Sequence, residues 1–195
     1  LAWQGIDTVS LSSADIDLSR SDAPAKLKGK VFQGDALVVV SALTPDKGRD
    51  IRTLMKNLEM MEQVCNFVQE SACSHIVYIS SDAVYHDDAN PVTESSCCEP
   101  SGFHGVMHLA RERMLTHAAQ QAKIPLAVLR PSLLFGPGDT HNGYGPNRFM
   151  RTAEADGKIT LFGQGEEKRD HVYIADLSRL IGLTLSHRST GVLNV

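Results

Sequence analysis

The amino-acid sequence predicts an α/β protein built on a doubly wound parallel sheet. Short apolar runs rich in β-branched residues alternate with longer segments in which apolar residues recur every three or four positions. The first pattern is typical of buried strands and the second of amphipathic helices. Alternating elements of these lengths form β-α-β units with right-handed crossovers, so the strands should be parallel and the helices should cover both faces of the sheet.

Each element follows from a local pattern in the sequence. Residues 1–5 resemble the tail of a helix. Strands are expected, in chain order, at residues 8–12, 36–41, 75–81, 126–130, 159–162, 171–174 and 192–195. Helices are expected at residues 50–71, 105–122 and 147–155, and Asp176 should cap a last helix that runs towards His187. Pro131 should end the strand before it.

Composition narrows the class of protein. The chain has 195 residues, of which 42% are hydrophobic and 22% charged, which suits one domain with a buried core. A net charge of -4 favours neither nucleic acid nor an anionic membrane as a partner, and no apolar run approaches the roughly 20 residues that span a bilayer. No apolar leader opens the chain, and the four cysteines form no C-x-x-C pair. We therefore expect a cytoplasmic protein with reduced thiols.

The residues that could carry chemistry follow the predicted strands. In such sheets ligands bind beyond the carboxyl ends of the strands. Residues 38–42 end a strand in small side chains, Ser80 and Ser81 precede Asp82 at another strand end, and Arg169 stands before a later strand. A hydroxyl beside a carboxylate suits proton transfer, and an arginine suits phosphate binding. Taken singly, each segment could equally be a turn or a surface salt bridge.

In their order and spacing, these segments resemble the extended short-chain dehydrogenase/reductase family of nucleotide-sugar epimerases, dehydratases and reductases. Residues 38–42 are similar to the family's "VIHLAA" segment, and Asn57 to the asparagine of its "NVxGT" helix. Residues 80–85 resemble "SSxxVYG", residues 129–137 "LRxxNVYGP" and residues 169–176 "RDFVYVDD". Residues 15–18 resemble the compact layout of dTDP-4-dehydrorhamnose reductases. The resemblance covers nearly the whole chain and implies a Rossmann-like fold that binds NAD or NADP.

The resemblance also implies roles for individual residues. The catalytic residues would be Ser81, His104 and His108. The dinucleotide would contact Asp17, Leu18, Ser41, Ala42, Leu43, Asn57, Ser80, His108, Pro131 and Leu133. A nucleotide-sugar substrate would contact Asp82, Asn147 and Arg169. Dimerisation would use the two long helices, at residues 50–71 and 105–122, to form a homodimer.

The sequence departs from the family pattern in its length. No Gly-rich phosphate loop follows a first strand and opens a helix, and residues 163–165 (Gly-Gln-Gly) precede a predicted strand instead. We expect that the chain lacks the first βα unit, about 25 residues judged from the size of such a unit, and the carboxyl-terminal substrate subdomain. Residues 1–195 would form a single incomplete dinucleotide-binding domain, in which residues 140–170 begin the substrate-binding part.

The second departure is chemical. His104 and His108 stand where the family has the tyrosine and lysine of "YGxxK". Imidazole can perform acid/base work near neutral pH, but His104 is shorter than tyrosine and His108 carries a positive charge less reliably than lysine. The favoured function is an epimerase or reductase that moves hydride between a nucleotide-linked sugar and nicotinamide, with epimerase ahead. Ala83 stands where a dehydratase would have glutamate, so dehydration is disfavoured.

Two other classes of protein stay open from the sequence. The loss of both tyrosine and lysine favours a non-catalytic dinucleotide-binding protein that serves in sensing or assembly. His104 and His108 also have the spacing of a zinc pair on a helix, and Glu112 continues that face. Glu112 lies too far along the helix for easy joint coordination with His104, so His171 or Asp82 would have to supply a third ligand. We expect no metal site.

Overall fold

A computed structural model describes residues 1–139, 145–161, 163–166 and 168–195. Its helices are α1 (Ala23–Lys28), α2 (Ile51–Glu70), α3 (Phe103–Ala122), α4 (Gly145–Asp156) and α5 (Ile174–Ser186). Its strands are β1 (Ala36–Val39), β2 (His75–Ile79), β3 (Leu126–Arg130), β4 (Leu133–Phe135), β5 (His171–Tyr173) and β6 (Gly191–Asn194). Short 3-10 helices occupy Ala2–Gln4 and Asp82–Val84.

The main sheet has the strand order β1-β2-β3-β6, and all of its neighbouring strands are parallel. A separate parallel pair is formed by β4 and β5, with Leu133 opposite His171. Parallel neighbours require crossover connections, which α2, α3 and α5 supply. The predicted parallel sheet is therefore confirmed.

Helices pack on both faces of the main sheet, because successive strand residues point to opposite sides. On one face, Ile76, Tyr78 and Val128 join a core with α1, α2 and α3. On the other face, Val77, Ala127 and Leu129 pack against Leu177 and Ile181 of α5. This two-sided arrangement confirms the doubly wound class.

The long helices form where the sequence predicts them. The side chain of Asp50 accepts a hydrogen bond from the Thr53 amide at 2.8 Å and so caps α2. α2 then buries a stripe that includes Met61 and Val68 against α3. Lys123 closes α3 in a left-handed conformation, with φ 57°. α3 begins two residues before the predicted start at residue 105, which places His104 inside its first turn.

Three predictions of local structure are wrong. Residues 8–12 form no strand and lie exposed, since no neighbouring strand pairs with them. Residues 159–161 are also outside any strand and exposed, and residue 162 lies outside the described residues. Asp176 does not cap α5, which begins at Ile174 after Tyr173; its carboxylate lies in the first turn, where it suits the helix dipole equally well. Helix α1 and strand β4 were not predicted.

Of the helices in the described ranges, none is both long and apolar enough to span a membrane.

Candidate active site

The carboxyl end of β2 leads into a tight turn that carries the candidate catalytic hydroxyl. Ser81 precedes the 3-10 helix Asp82–Val84, and its hydroxyl oxygen accepts a hydrogen bond from the Ala83 amide at 3.1 Å. The same hydroxyl donates to Oδ1 of Asp82 at 3.1 Å. The Asp82 amide donates to the Pro131 carbonyl at 3.1 Å, which ties the end of β2 to the end of β3.

A glycine lets α3 approach this turn closely. A Cβ atom on Gly105 would lie 2.0 Å from the Ala83 carbonyl oxygen, so no other residue fits without movement of the backbone. The approach brings His104, one residue earlier, within electrostatic reach of Asp82. Ser81, Asp82 and His104 therefore lie at one edge of the sheet.

The pKa values of this pair move towards each other. Burial lowers the pKa of His104 below its ordinary value; the nearby Asp82 carboxylate opposes this shift, and the Arg49 cation adds to it. Partial removal of water from the Asp82 carboxyl raises its pKa, against the influence of Ser81, the Ala83 amide, His104 and Arg169. His104 is consequently neutral at pH 7 and able to accept a proton.

A cavity of about 370 Å³ opens beside His104, between the segment that follows β1 and the first turn of α3. A cavity of this volume suits a small organic ligand. Its lining residues are Leu43, Pro45, Gly48, Arg49, Asp50, Thr53, Leu54, Asn57, Gly102, Phe103, His104 and Met107.

His108 is not placed like a free cation. Its side chain is buried, and Nδ1 shares a hydrogen bond of 2.9 Å with the hydroxyl of Tyr78. Burial, reinforced by His104 and Arg111, lowers the pKa of His108 to about 3. The ring of His108 meets that of His104 edge to face, with centroids 4.7 Å apart. His108 is thus a neutral imidazole at pH 7.

Arg111 is the positive charge that the sequence reasoning missed. The residue is 0% exposed, and its Nη2 donates to the carbonyl of Ser41 at 2.6 Å. Its guanidinium carbon lies 5.5 Å from the centroid of the Tyr78 ring, and its Nε has no hydrogen-bond partner among the residues that the structure describes. The signal was in the sequence, since residues 104, 108, 111 and 115 share one face of a helix.

Glu112, the next residue, belongs to a fully paired network. Arg130 donates from Nε to Oε1 of Glu112 at 2.9 Å and from Nη2 to Oε2 at 2.6 Å. The Ser80 hydroxyl donates to Oε1 at 2.6 Å. Arg130 Nη1 donates to the Tyr85 hydroxyl at 2.7 Å, and that hydroxyl donates to Asn194 Oδ1 at 2.6 Å. The network joins the ends of β2, β3 and β6 to α3.

Comparison with known proteins identifies the family. Residues 4–195 match the model of the NAD dependent epimerase/dehydratase family. The chain belongs to this family.

Relatives cover the chain in sequence and in structure. Segments of 120 and 130 residues are 25% and 29% identical to Uncharacterized UDP-glucose epimerase YtcB of Bacillus subtilis (strain 168) and to dTDP-4-dehydro-6-deoxyglucose reductase of Escherichia coli. These segments cover 62% and 64% of this chain but only 38% and 41% of the relatives, so the match spans about two fifths of their length.

A UDP-N-acetylglucosamine 4-epimerase from Methanobrevibacter ruminantium M1, solved with UDP-N-acetylmuramic acid, superposes with a TM-score of 0.79. The identity is 22%, over 92% of this chain and 59% of that one. The UDP-N-acetylglucosamine 4-epimerase from Bacillus cereus gives a TM-score of 0.77 at 23% identity, over 91% and 61%. These likenesses confirm the Rossmann-like fold.

An NAD-dependent family implies a dinucleotide, and the end of β1 offers a surface for it. Asn57 is buried; its Oδ1 accepts from the Leu43 amide at 2.8 Å, and its Nδ2 donates to the Leu43 carbonyl at 3.1 Å. Arg111 holds the Ser41 carbonyl from below, so residues 41–43 present a fixed backbone with small side chains at Ser41 and Ala42. These residues fit one flat face of a dinucleotide, although the sequence contains no Gly-rich loop for the pyrophosphate.

The other residues assigned to the dinucleotide lie at different places. Asp17 is exposed and accepts from the amide and hydroxyl of Ser19, and Leu18 is half-buried beside it. Pro131 is buried directly after β3, and Leu133 begins β4. The Ser80 hydroxyl points into the Glu112 network, which gives it a structural contact instead of a free position at the surface.

Two residues assigned to the substrate lie near the small β4–β5 sheet. Asn147 of α4 is buried, and its Nδ2 donates to the Gly136 carbonyl and to Oδ2 of Asp139, each at 2.8 Å. Arg169 is exposed just before β5, and its charge reaches Asp82. Asn147 thus anchors the loop after β4, while Arg169 lies on the side of the sheet edge that carries Asp82.

The zinc hypothesis gains no third ligand. The carboxylate of Glu112 is engaged by Arg130 and Ser80, and Nδ1 of His108 is engaged by Tyr78. Within the ranges that the structure describes, no group of three or more histidine, cysteine, aspartate or glutamate side chains could hold a metal ion.

Proposed function

We propose that the chain forms part of the dinucleotide-binding domain of an epimerase or reductase that acts on a nucleotide-linked sugar with NAD or NADP. The observation that carries this proposal is that the Ser81 hydroxyl is bonded to Asp82, that the Asp82 charge acts on His104, and that His104 lines a cavity of about 370 Å³. Family membership supplies the class of chemistry. UDP- and dTDP-linked sugars in the names of the relatives support a nucleotide-sugar substrate.

In this proposal the chain's own residues manage the proton of the sugar hydroxyl. When bound, the nicotinamide accepts and returns a hydride. His104, neutral at pH 7, takes the hydroxyl proton at a ring nitrogen as the sugar is oxidised, and returns it when the sugar is reduced. The Ser81 hydroxyl, held by Asp82 and the Ala83 amide, orients the sugar oxygen. The Asp82 carboxylate favours the protonated form of His104 once the proton has moved.

Within the family we favour epimerisation, with reduction close behind, over dehydration. Dehydration needs a second acid or base to remove water from the sugar. Ala83 follows Asp82 and offers no such group, and its carbonyl is packed against Gly105. We further propose that residues 140–170 begin the substrate-binding part, with Asn147 and Arg169 near the nucleotide end of the substrate; residues 140–144, 162 and 167 of that segment lie outside the described residues.

A second candidate function rests on His108. A ribose-binding lysine would bring a positive charge, whereas His108 is buried, bonded to Tyr78 and neutral. This observation favours a protein that binds a dinucleotide without turnover, for sensing or assembly.

We also propose a homodimer through α2 and α3. Ile51 and Met55 lie one turn apart on α2 and are 64% and 50% exposed, and Phe103 and Val106 are exposed on α3. Sedimentation velocity measures the association directly, and Met55→Glu should weaken it.

The four cysteines are unpaired, which supports a reducing, cytoplasmic setting.

The test combines native mass spectrometry of the purified protein with an exchange assay. We expect bound NAD(H) or NADP(H), and conversion or isotope exchange at the sugar when UDP-glucose or dTDP-4-dehydro-6-deoxyglucose is supplied. His104→Ala should abolish exchange, while His117→Ala, an exposed change on the same helix, should not.

Three results decide between the candidates. Exchange that depends on His104 supports the enzyme. A bound nucleotide without exchange, unchanged by the double variant His104→Tyr/His108→Lys, supports the binding protein. No nucleotide binding in any variant overturns both.

A further inference from the structure

Arg111 is a buried cation without a counterion. It is 0% exposed, and among the residues that the structure describes no carboxylate forms an ion pair with it. In the described part of the chain its hydrogen-bond partners are the backbone carbonyl of Ser41 and the sulfur of Met107, while Nε has none. Burial of an unpaired guanidinium is unfavourable, and arginine does not avoid that cost by losing its proton. Such a group needs a reason to persist.

Its surroundings give that reason. Arg111 lies one helical turn after His108, and residues so spaced are neighbours on a helix surface. Its guanidinium carbon is 5.5 Å from the centre of the Tyr78 ring, and the hydroxyl of Tyr78 is bonded to His108. His108 in turn touches the ring of His104. Arg111 therefore lies beneath a continuous set of side chains that leads to the cavity.

We propose that Arg111 supplies a fixed positive charge beneath His108, acting as a positioning residue. The charge adds to burial in disfavouring the protonated form of His108, so that His104 is the imidazole of the pair that gains and loses a proton. The proposal rests on the proposed function in so far as the pair belongs to an active site. It explains how a chain without a lysine at position 108 still places a cation on the helix that carries His104.

The charged and titratable groups around the pair agree with this assignment. From α3 they are His104, Arg111 and Glu112, of which Glu112 is neutralised by Arg130. From β2 the group is Tyr78, whose pKa burial raises to about 12, and from α2 it is Cys65, whose pKa burial raises to about 11. Both are neutral at pH 7. Asp82 and Arg49 act on His104, so Arg111 is the fixed charge that acts on His108.

The test is an NMR titration of the histidine rings in the protein without nucleotide, assigned with His104→Gln and His108→Gln. In the parent protein we expect no protonation of His108 down to about pH 4. Arg111→Met and Arg111→Gln should raise the proton affinity of His108 at least about tenfold, as expected for removal of a charge one helical turn away. Arg111→Lys should behave like the parent, and so should Arg113→Met, an exposed change on the same helix.

Each outcome has a meaning. A parent His108 that titrates near its ordinary pKa overturns the proposal without any variant, so a variant that fails to fold does not block the test. If Arg111→Gln matches the parent while Arg111→Met differs, the hydrogen bond to Ser41 matters and the charge does not, which also overturns it. A shift as expected in a protein that binds no nucleotide supports the charge assignment and counts against the proposed function alone.

Discussion

Arg111 and Glu112 are adjacent on α3 and both are buried, but Glu112 has a charged partner and Arg111 has none among the described residues. Glu112 receives three hydrogen bonds, from Ser80 and Arg130, and every partner is buried. Arg111 has a backbone carbonyl, a sulfur atom and an unsatisfied Nε. A fully paired buried network fixes a structure. An unpaired buried charge has a strong electrostatic effect on its neighbours, because the local dielectric constant is low. Their positions match this difference, since Glu112 joins strand ends and Arg111 lies beneath the imidazole pair.

The largest expected effect on stability comes from breaking the buried ion pair between Glu112 and Arg130. Glu112→Ala leaves Arg130 buried with no carboxylate, which should lower the free energy of unfolding by about 3–5 kcal/mol. Arg111→Met replaces an unpaired charge by an apolar side chain of similar volume, which should leave stability nearly unchanged or raise it. Urea unfolding of both variants measures the contrast, with Glu59→Ala, an exposed change on α2, as the control. Equal losses at positions 111 and 112 would contradict the comparison.

The elements that the sequence predicted correctly are those that local pattern determines. α2 has a capping aspartate at Asp50 and a regular apolar stripe, and β2 and β3 are continuous apolar runs. Residues 8–12 alternate like a strand, but a strand exists only where a neighbour pairs with it, and no pattern within five residues contains that information. Residues 159–161, the described part of the strand predicted at residues 159–162, form no strand for the same reason.

In the candidate site, too, some positions could be predicted from local sequence and others depend on packing between distant segments. The positions of Ser81 and Asp82 at one edge could be predicted because the carboxyl ends of parallel strands meet there, whereas His104 was marked by the resemblance alone. That these residues are catalytic stays a prediction. The engagement of Ser80 by Glu112, and of His108 by Tyr78, depends on the facing of α3 against β2 across about 30 residues of chain. The burial of Arg111 depends on that packing too, so periodicity could place it on the right face but could not show that it lacks a counterion.

A smaller effect on stability is expected from His108 when the pH is lowered. His108 has a folded-state pKa of about 3 against an ordinary 6.5, so the unfolded chain takes up a proton that the native protein excludes. This contribution to stability is complete above pH 6.5 and is lost as the pH falls; by pH 5 the loss should be about 2 kcal/mol. His108→Gln should lack this component.

The measurement is the free energy of unfolding of parent and variant at pH 7 and pH 5. Subtracting the two proteins removes the carboxylate contributions that they share. His117→Gln, on the exposed side of α3, should follow the parent. A variant with the same pH dependence as the parent would show that His108 is protonated in the native state.

The smallest expected effect distinguishes the two adjacent serines. Ser80→Ala removes one hydrogen bond to Glu112 while Arg130 keeps both of its own, so stability should fall by about 1 kcal/mol. Ser81→Ala removes the hydroxyl that lowers the pKa of Asp82, so that pKa should rise above its already raised value. Urea unfolding and a carboxyl ¹³C titration of both variants separate the roles. Ser80→Ala should leave the pKa of Asp82 unchanged, because the Ser80 hydroxyl faces Glu112. A shifted pKa of Asp82 in that variant would mean that the Glu112–Arg130 network and the His104–His108 pair are coupled through the turn at the end of β2.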